Sequence, residues 1–222
     1  MMNNINWADF TSPILLSLKV AVVSSIFVLV IGGVTAWKMS RRNFRGKTVV
    51  ETTFLLPLVL PPTVVGFILL VLLGKKSWIG QFMESFFNQS IIFTWGAAVI
   101  AAIVVAFPLV YQTMRTGFSL VDKDIEDAAR SMGASEWQVL RYITMPLAWR
   151  SLVTAYLLGF ARGLGEFGAT LMIAGNIPHK TQTLPTAIYI AVESGDMTLA
   201  WYWAGAIIII SFGLMLVANR KV

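Results

Sequence analysis

The chain has 222 residues, 57% of them hydrophobic and only 13% charged, with a mean hydropathy of +0.74; soluble domains carry about 25% charged residues, so a membrane unit of several helices is expected instead. With 0 cysteines, a disulfide framework, a thiolate zinc site and a cysteine nucleophile are excluded, and His179, the only histidine, sits beside Lys180 in a polar loop where it is expected to be solvated rather than metal-bound. The net charge of +6 does not signal nucleic acid, because its basic residues cluster just beyond apolar runs, as the positive-inside rule describes, instead of forming a patch.

A membrane helix needs about 20 mostly apolar residues. Five stretches meet that length: 13–37, 49–73, 91–111, 152–174 and 199–217. The first is read as a retained helix and not a cleaved signal, since Asp9 and no basic residue precedes an apolar run longer than the usual h-region. The predicted cytoplasmic side receives Lys38, Arg41, Arg42, Arg45 and Lys47, the basic residues of 112–150, and Arg220 and Lys221. The other side keeps Lys75, Lys76 and Lys180, which puts the N-terminus outside and the C-terminus in the cytoplasm. Lys19 in the first span is expected to snorkel outward.

In the second span Pro57, Pro61 and Pro62 remove amide donors, which the bilayer tolerates only where protein or a watery cavity satisfies the freed groups. The break either serves packing, as a kink, or presents the amides after Pro62, with Thr63, to an anion. The loop Gly74 to Ser90 is expected to carry a short helix on the membrane surface. In the loop Gly175 to Asp196, Pro178 and Pro185 precede "TAIYIAVES", which is either a surface helix or partly re-entrant.

The long loop 112–150 has the richest local chemistry. Asp122, Asp124, Glu126 and Asp127 crowd a helix start, where negative charge complements the dipole. Gly133 suits the left-handed residue ending that helix. Ser135 and Gln138 form a capping box for the next, which runs through Trp137, Leu140 and Arg141. Pro146 is expected to open the helix after it. Two short helices turned sharply against each other fit a partner's groove, or pack on the bundle as an amphipathic loop.

Within the fourth span, Gly163, Gly165 and Gly168 have the G-x-G-x-x-G spacing of dinucleotide sites. That reading fails, because no strand precedes them in a soluble βαβ unit. As one helix, Gly159 and Gly163 make a G-x-x-x-G step, while Ala161, Gly165 and Gly168 leave a second small surface. Arg162 and Glu166 are four apart and costly toward lipid, so they are expected to face the bundle or a watery path. They either pair as a structural clamp or touch a passing anion; the clamp is preferred, because an unneutralised Glu166 repels a dianion.

The loop resembles the EAA motif of permease subunits in ABC importers, E-A-A-x3-G-x9-I-x-L-P. Asp127, Ala128, Ala129, Gly133, Ile143 and Pro146 fall at its spacing, with Asp127 for Glu, Glu126 beside it, and Met145 for Leu. The segments "LPLVLPPTVVGFILLVLLGKKSWIG", "FARGLGEFGATLMIAGNIP" and "KTQTLPTAIY" resemble the importer permeases for molybdate, sulfate and tungstate. Length and span number are most similar to the molybdate members.

The resemblance implies an all-α integral membrane protein, a single domain over 1–222, with the MetI-like ABC permease fold. It implies a homodimer in a bacterial or archaeal cytoplasmic membrane, served by two ATPase subunits and an external oxyanion-binding protein. The ATPases would dock on a coupling helix containing Glu126, Asp127, Ala128, Ala129, Gly133 and Ser135, with Ile143 and Pro146 completing the motif. Pro61, Pro62, Thr63, Arg162, Gly165 and Glu166 would line the pathway or gate. With no G-x-x-x-x-G-K-[ST] loop of its own, the chain is expected to bind no cofactor and to be no enzyme, ATP-Mg residing on the partner. Weak pathway binding is expected, with selectivity set by the binding protein. A membrane enzyme lacks a constellation here, and a secondary transporter or channel does not call for the EAA spacing.

Overall fold

The structure, a computed structural model, describes residues 7–221, without the side chains of Phe87 and 217–221, so the basic ends of Arg220 and Lys221 lie outside it. Its helices run α1 (Trp7–Arg41), α2 (Lys47–Val59), α3 (Pro62–Leu73), α4 (Trp78–Phe87), α5 (Trp95–Ser119), α6 (Lys123–Ser131) and α7 (Glu136–Val139). A π-helical turn (Leu140–Thr144) then leads to α8 (Met145–Leu147), α9 (Trp149–Leu164), α10 (Gly168–Ala174), α11 (Leu184–Glu193) and α12 (Met197–Lys221).

Three helices are long and apolar enough to cross a membrane unaided: α1, α5 and α12. The second and fourth predicted spans are not single helices. The α2/α3 pair bends by 114° and α9/α10 by 61°, so five spans result only when each bent pair is counted as one. The first break follows from Pro61 and Pro62: neither donates an amide, and Pro61 has φ −53° and ψ 135°, outside the helix. The second lies at Gly165–Phe167, where the chain leaves α9 within an apolar run. The other spans outrun their predicted ends, as α1 begins at Trp7 and α5 continues to Ser119.

The core is α1, α5 and α9. Alanines of α5 (Ala97, Ala98, Ala101, Ala102 and Ala106) are buried, and their small side chains let neighbouring backbones approach. The G-x-x-x-G step of α9 does this too: a Cβ on Gly159 would lie 2.9 Å from Val110 Cγ2, and one on Gly163 2.9 Å from Ser24 Oγ. Gly165, by contrast, ends α9 and shares no helix face with Gly168. The α11 helix packs on α1 and α12 with Leu184, Ala187 and Ala191 buried, and Leu184 N–H donates to Ser17 Oγ at 2.6 Å. It is therefore a bundle element and not a free surface helix.

Two charged residues have partners that the sequence did not indicate. His179 is not merely solvated, since its Nε2 lies 2.8 Å from Asp9 Oδ1 in the first turn of α1. Lys19 is exposed, and its ammonium sits 3.9 Å from the centre of the Trp95 ring, where the ring quadrupole stabilises the cation.

Candidate functional site

The loop between α5 and α9 folds by its local chemistry. Asp122 Oδ1 accepts from Asp124 N–H at 2.9 Å and starts α6. Gly133 has φ +90°, and Ala134 N–H reaches back to Ala129 O at 3.0 Å, the six-to-one bond of a left-handed helix end. Ser135 N–H donates to Gln138 Oε1 at 2.8 Å, and Gln138 N–H to Ser135 Oγ at 3.4 Å, completing the capping box of α7. Pro146 lies in the opening positions of α8, but that helix has only 3 residues and continues the turn before it. The proline ring disfavours an α-helical carbonyl four residues earlier, and the turn Leu140–Thr144 widens ahead of it, with Met145 N–H bonded to Leu140 O. Pro146 then sits in the one-turn α8, and the helix resumes at Trp149.

The acid that the motif spacing selects is Asp127, but the buried one is Glu126, at 6% exposure. Glu126 Oε1 accepts from Thr144 Oγ1 at 2.6 Å and pairs with Arg41 at the end of α1; Oε2 lies 3.4 Å from Arg130 Nη2. Glu136 closes the group, 2.7 Å from Arg130 Nε and 3.3 Å from Arg41 Nη1. Its hydrogen bond from Arg130 holds the Glu136 carboxyl below its ordinary range, and the same bond pushes the Arg130 guanidinium up. Asp127 pairs only with Arg130, on the surface. Ala128 and Gly133 are exposed, and so are the apolar side chains of Met132, Trp137 and Tyr142 in the same loop. Ile143 is half-buried. Arg41, Arg130, Glu136 and Thr144 were missed as members of this cluster: Arg41 looked like one topological charge among five, and its partner is 85 positions away.

The residues expected along the pathway come together where the two bent pairs meet. Pro61, Pro62 and Thr63 are exposed at the start of α3. Against them lies Gly168, whose Cβ would fall 3.1 Å from Pro62 Cβ and 3.3 Å from Thr63 N. Arg162 and Glu166 pair, Nη1 to Oε2 at 2.7 Å, with Glu166 buried and Arg162 half-buried. Glu166 Oε1 also accepts from Ala169 N–H at 2.9 Å, so a carboxylate already occupies the start of α10. Arg162 and Glu166 thus pair across the break and not along one helix face. Gly165 is exposed beside it.

Among the described residues no group of three or more His, Asp or Glu could hold a metal ion. Residues 28–220 match the family described as binding-protein-dependent transport system inner membrane component. The YvgM protein of Bacillus subtilis (strain 168) is 55% identical over 219 residues, 99% of this chain and 96% of that protein. The molybdenum transport system permease protein ModB of Haemophilus influenzae is 43% identical over 183 residues, 82% of this chain and 80% of that one. A chain of the MetNI methionine ABC transporter, solved in inward-facing conformations, shares the fold with a TM-score of 0.69 at 19% identity, covering 99% of this chain and 97% of its own. The fold is thus that of ABC importer permeases, the role is transport and not catalysis, and the chain belongs to the family of inner membrane components of binding-protein-dependent transport systems.

Proposed function

We propose that this chain is the permease subunit of an ATP-driven importer that moves molybdate into the cytoplasm, with tungstate or sulfate as the alternative cargo. The observation that carries the cargo is the 43% identity with a molybdenum transport permease over four fifths of both chains. Two copies form the pore, two ATPase subunits dock under α6 and α7, and an external binding protein delivers the anion. ATP-Mg resides on the ATPases. The N-terminus lies outside and Arg41, the α6–α7 loop and the C-terminus lie in the cytoplasm.

In this reading Ala128, Ala129 and Gly133 form the docking surface, Glu126 and Ser135 shape it, and Asp127 lies at its edge. Ile143 and Pro146 carry its motion toward α9. The adjoining starts of α3 and α10 form the gate, with Pro61, Pro62 and Thr63 facing the path and the Arg162–Glu166 clamp holding the break beside Gly165. Closure of the ATPases then switches the membrane halves as rigid bodies. Binding in the path is weak, because a tetrahedral dianion held tightly there is released slowly.

The test is uptake of radiolabelled molybdate into liposomes containing the chain, its ATPase and its binding protein. Expected is ATP-dependent uptake, competed by unlabelled tungstate more than by sulfate. Uptake that persists without ATP identifies a secondary transporter or channel and rejects the proposal, as does uptake of none of the three anions.

A further inference from the structure

At the end of the bundle that carries the α6–α7 loop, a cleft of about 480 Å³ opens between the ends of α1 and α5 and the start of α2. Its lining is Ser40, Lys47, Gln112, Arg115, Thr116 and Ser119: two cations, three hydroxyls and an amide, with no carboxylate. It adjoins a second cleft, of about 370 Å³, through the shared Gln112 and Thr116, and Thr113, Ser151 and Thr154 complete the wall. Glu51 stands behind the first cleft, mostly covered, with Oε1 3.0 Å from Arg115 Nη2 and 3.4 Å from the Tyr111 hydroxyl that donates to it. The carboxylate therefore orients the guanidinium without entering the lining. Gln112, Thr116 and Ser151 make no side-chain hydrogen bond among the described residues, leaving neutral donors free. The other basic cleft at this end holds Lys38, Arg41, Arg42, Lys123 and Arg130 together with Glu126, Asp127 and Glu136, so its lining mixes both signs of charge.

Fields focus where a cleft holds one sign of charge between low-dielectric walls. We infer that the cleft between Lys47, Arg115 and Thr116 is an exit vestibule that binds the transported oxyanion weakly on its way to the cytoplasm. This rests on the importer reading above. One uncompensated positive charge, with Glu51 offsetting the other, attracts a dianion; hydroxyl and amide donors solvate its tetrahedral oxygens without holding it fast. The same chemistry makes the vestibule accessible to oxyanion that has accumulated inside.

The chain has 0 cysteines, so Thr116→Cys places its single thiol in the vestibule. In the assembled transporter, with ATPase subunits attached, an anionic methanethiosulfonate is expected to label this thiol several-fold faster than a cationic one. Millimolar molybdate should slow that labelling several-fold, while chloride at equal ionic strength should not, and adding Lys47→Gln should abolish both effects. Ser119→Cys provides a second reporter if the first variant assembles poorly. Equal labelling by both reagents at both positions, with no protection by molybdate, tungstate or sulfate, overturns the vestibule while wild-type uptake keeps the importer reading intact. Absence of wild-type uptake of all three anions overturns both.

Discussion

Glu126 is the residue on which the cytoplasmic loop closes. It is buried and faces Arg41, Arg130 and Thr144, so Glu126→Ala removes the buried one of the two carboxylates that these guanidinium groups share and leaves only the exposed Glu136 between them. Removing one partner of a buried pair costs about 3 kcal/mol, and amide exchange within α6 should rise accordingly, with α5 unaffected. Glu136 adds a pH dependence. Its folded pKa is depressed, first by the Arg130 hydrogen bond and then by the charges of Arg130 and Arg41. Its contribution is therefore complete above the unfolded-state pKa and is lost as pH falls through the lower folded one. Proteolysis of the loop should accelerate on acidification, and Glu136→Gln should show a smaller change. Gly133 is a different kind of residue: nothing lies within 4 Å of a Cβ built on it, yet its φ is +90°. Gly133→Val is thus opposed by backbone alone, at about 1–2 kcal/mol, and it should lower anion imported per ATP hydrolysed while the protein still inserts. An unchanged ratio would remove this turn from the coupling path.

At the scale of elements, the contact between α3 and α10 is a tight constraint on the proposed gate. A Cβ on Gly66 would fall 2.8 Å from Ala169 Cα and 3.0 Å from Ala169 O. Backbone cannot yield as a side-chain tip does, so Gly66→Ala should cost about 1–3 kcal/mol and depress uptake, whereas Gly205→Ala, with nothing within 4 Å, should be silent in a thermal melt of the complex. This element pair also marks how far the sequence can be read. The caps of α6 and α7 were legible because Asp122, Ser135 and Gln138 act on amides two or three residues away. The break at Pro61 was legible as a break, but not its 114° bend, which the docking of α3 on α10 determines. The break at Gly165–Phe167 was invisible, since hydropathy runs through it and Glu166 becomes a cap only when α10 turns aside. Likewise the pairing of Arg41 with Glu126 joins distant segments that periodicity cannot relate.

For the whole molecule, charge bias in the loops carried the topology, and it makes a direct prediction. With no native cysteine in the chain, Lys180→Cys should react with an impermeant thiol reagent added outside intact cells, and Arg141→Cys only after the membrane is opened. The reverse pattern would invert the proposed orientation. The α1 helix gives this topology a mechanical meaning. Over 35 residues it is about 52 Å long, well beyond the roughly 30 Å hydrocarbon layer. Near one end Asp9 meets His179, Phe10 O accepts from Trp203 Nε1 at 3.0 Å, and Ser17 holds the start of α11. At the other end Arg41 holds Glu126 and Glu136. A single continuous helix is thus fastened at both ends, and in the proposed importer it would serve as a pushrod: a displacement of the proposed coupling loop would reach the opposite end of the bundle with no intervening loop and without passing through the proposed gate.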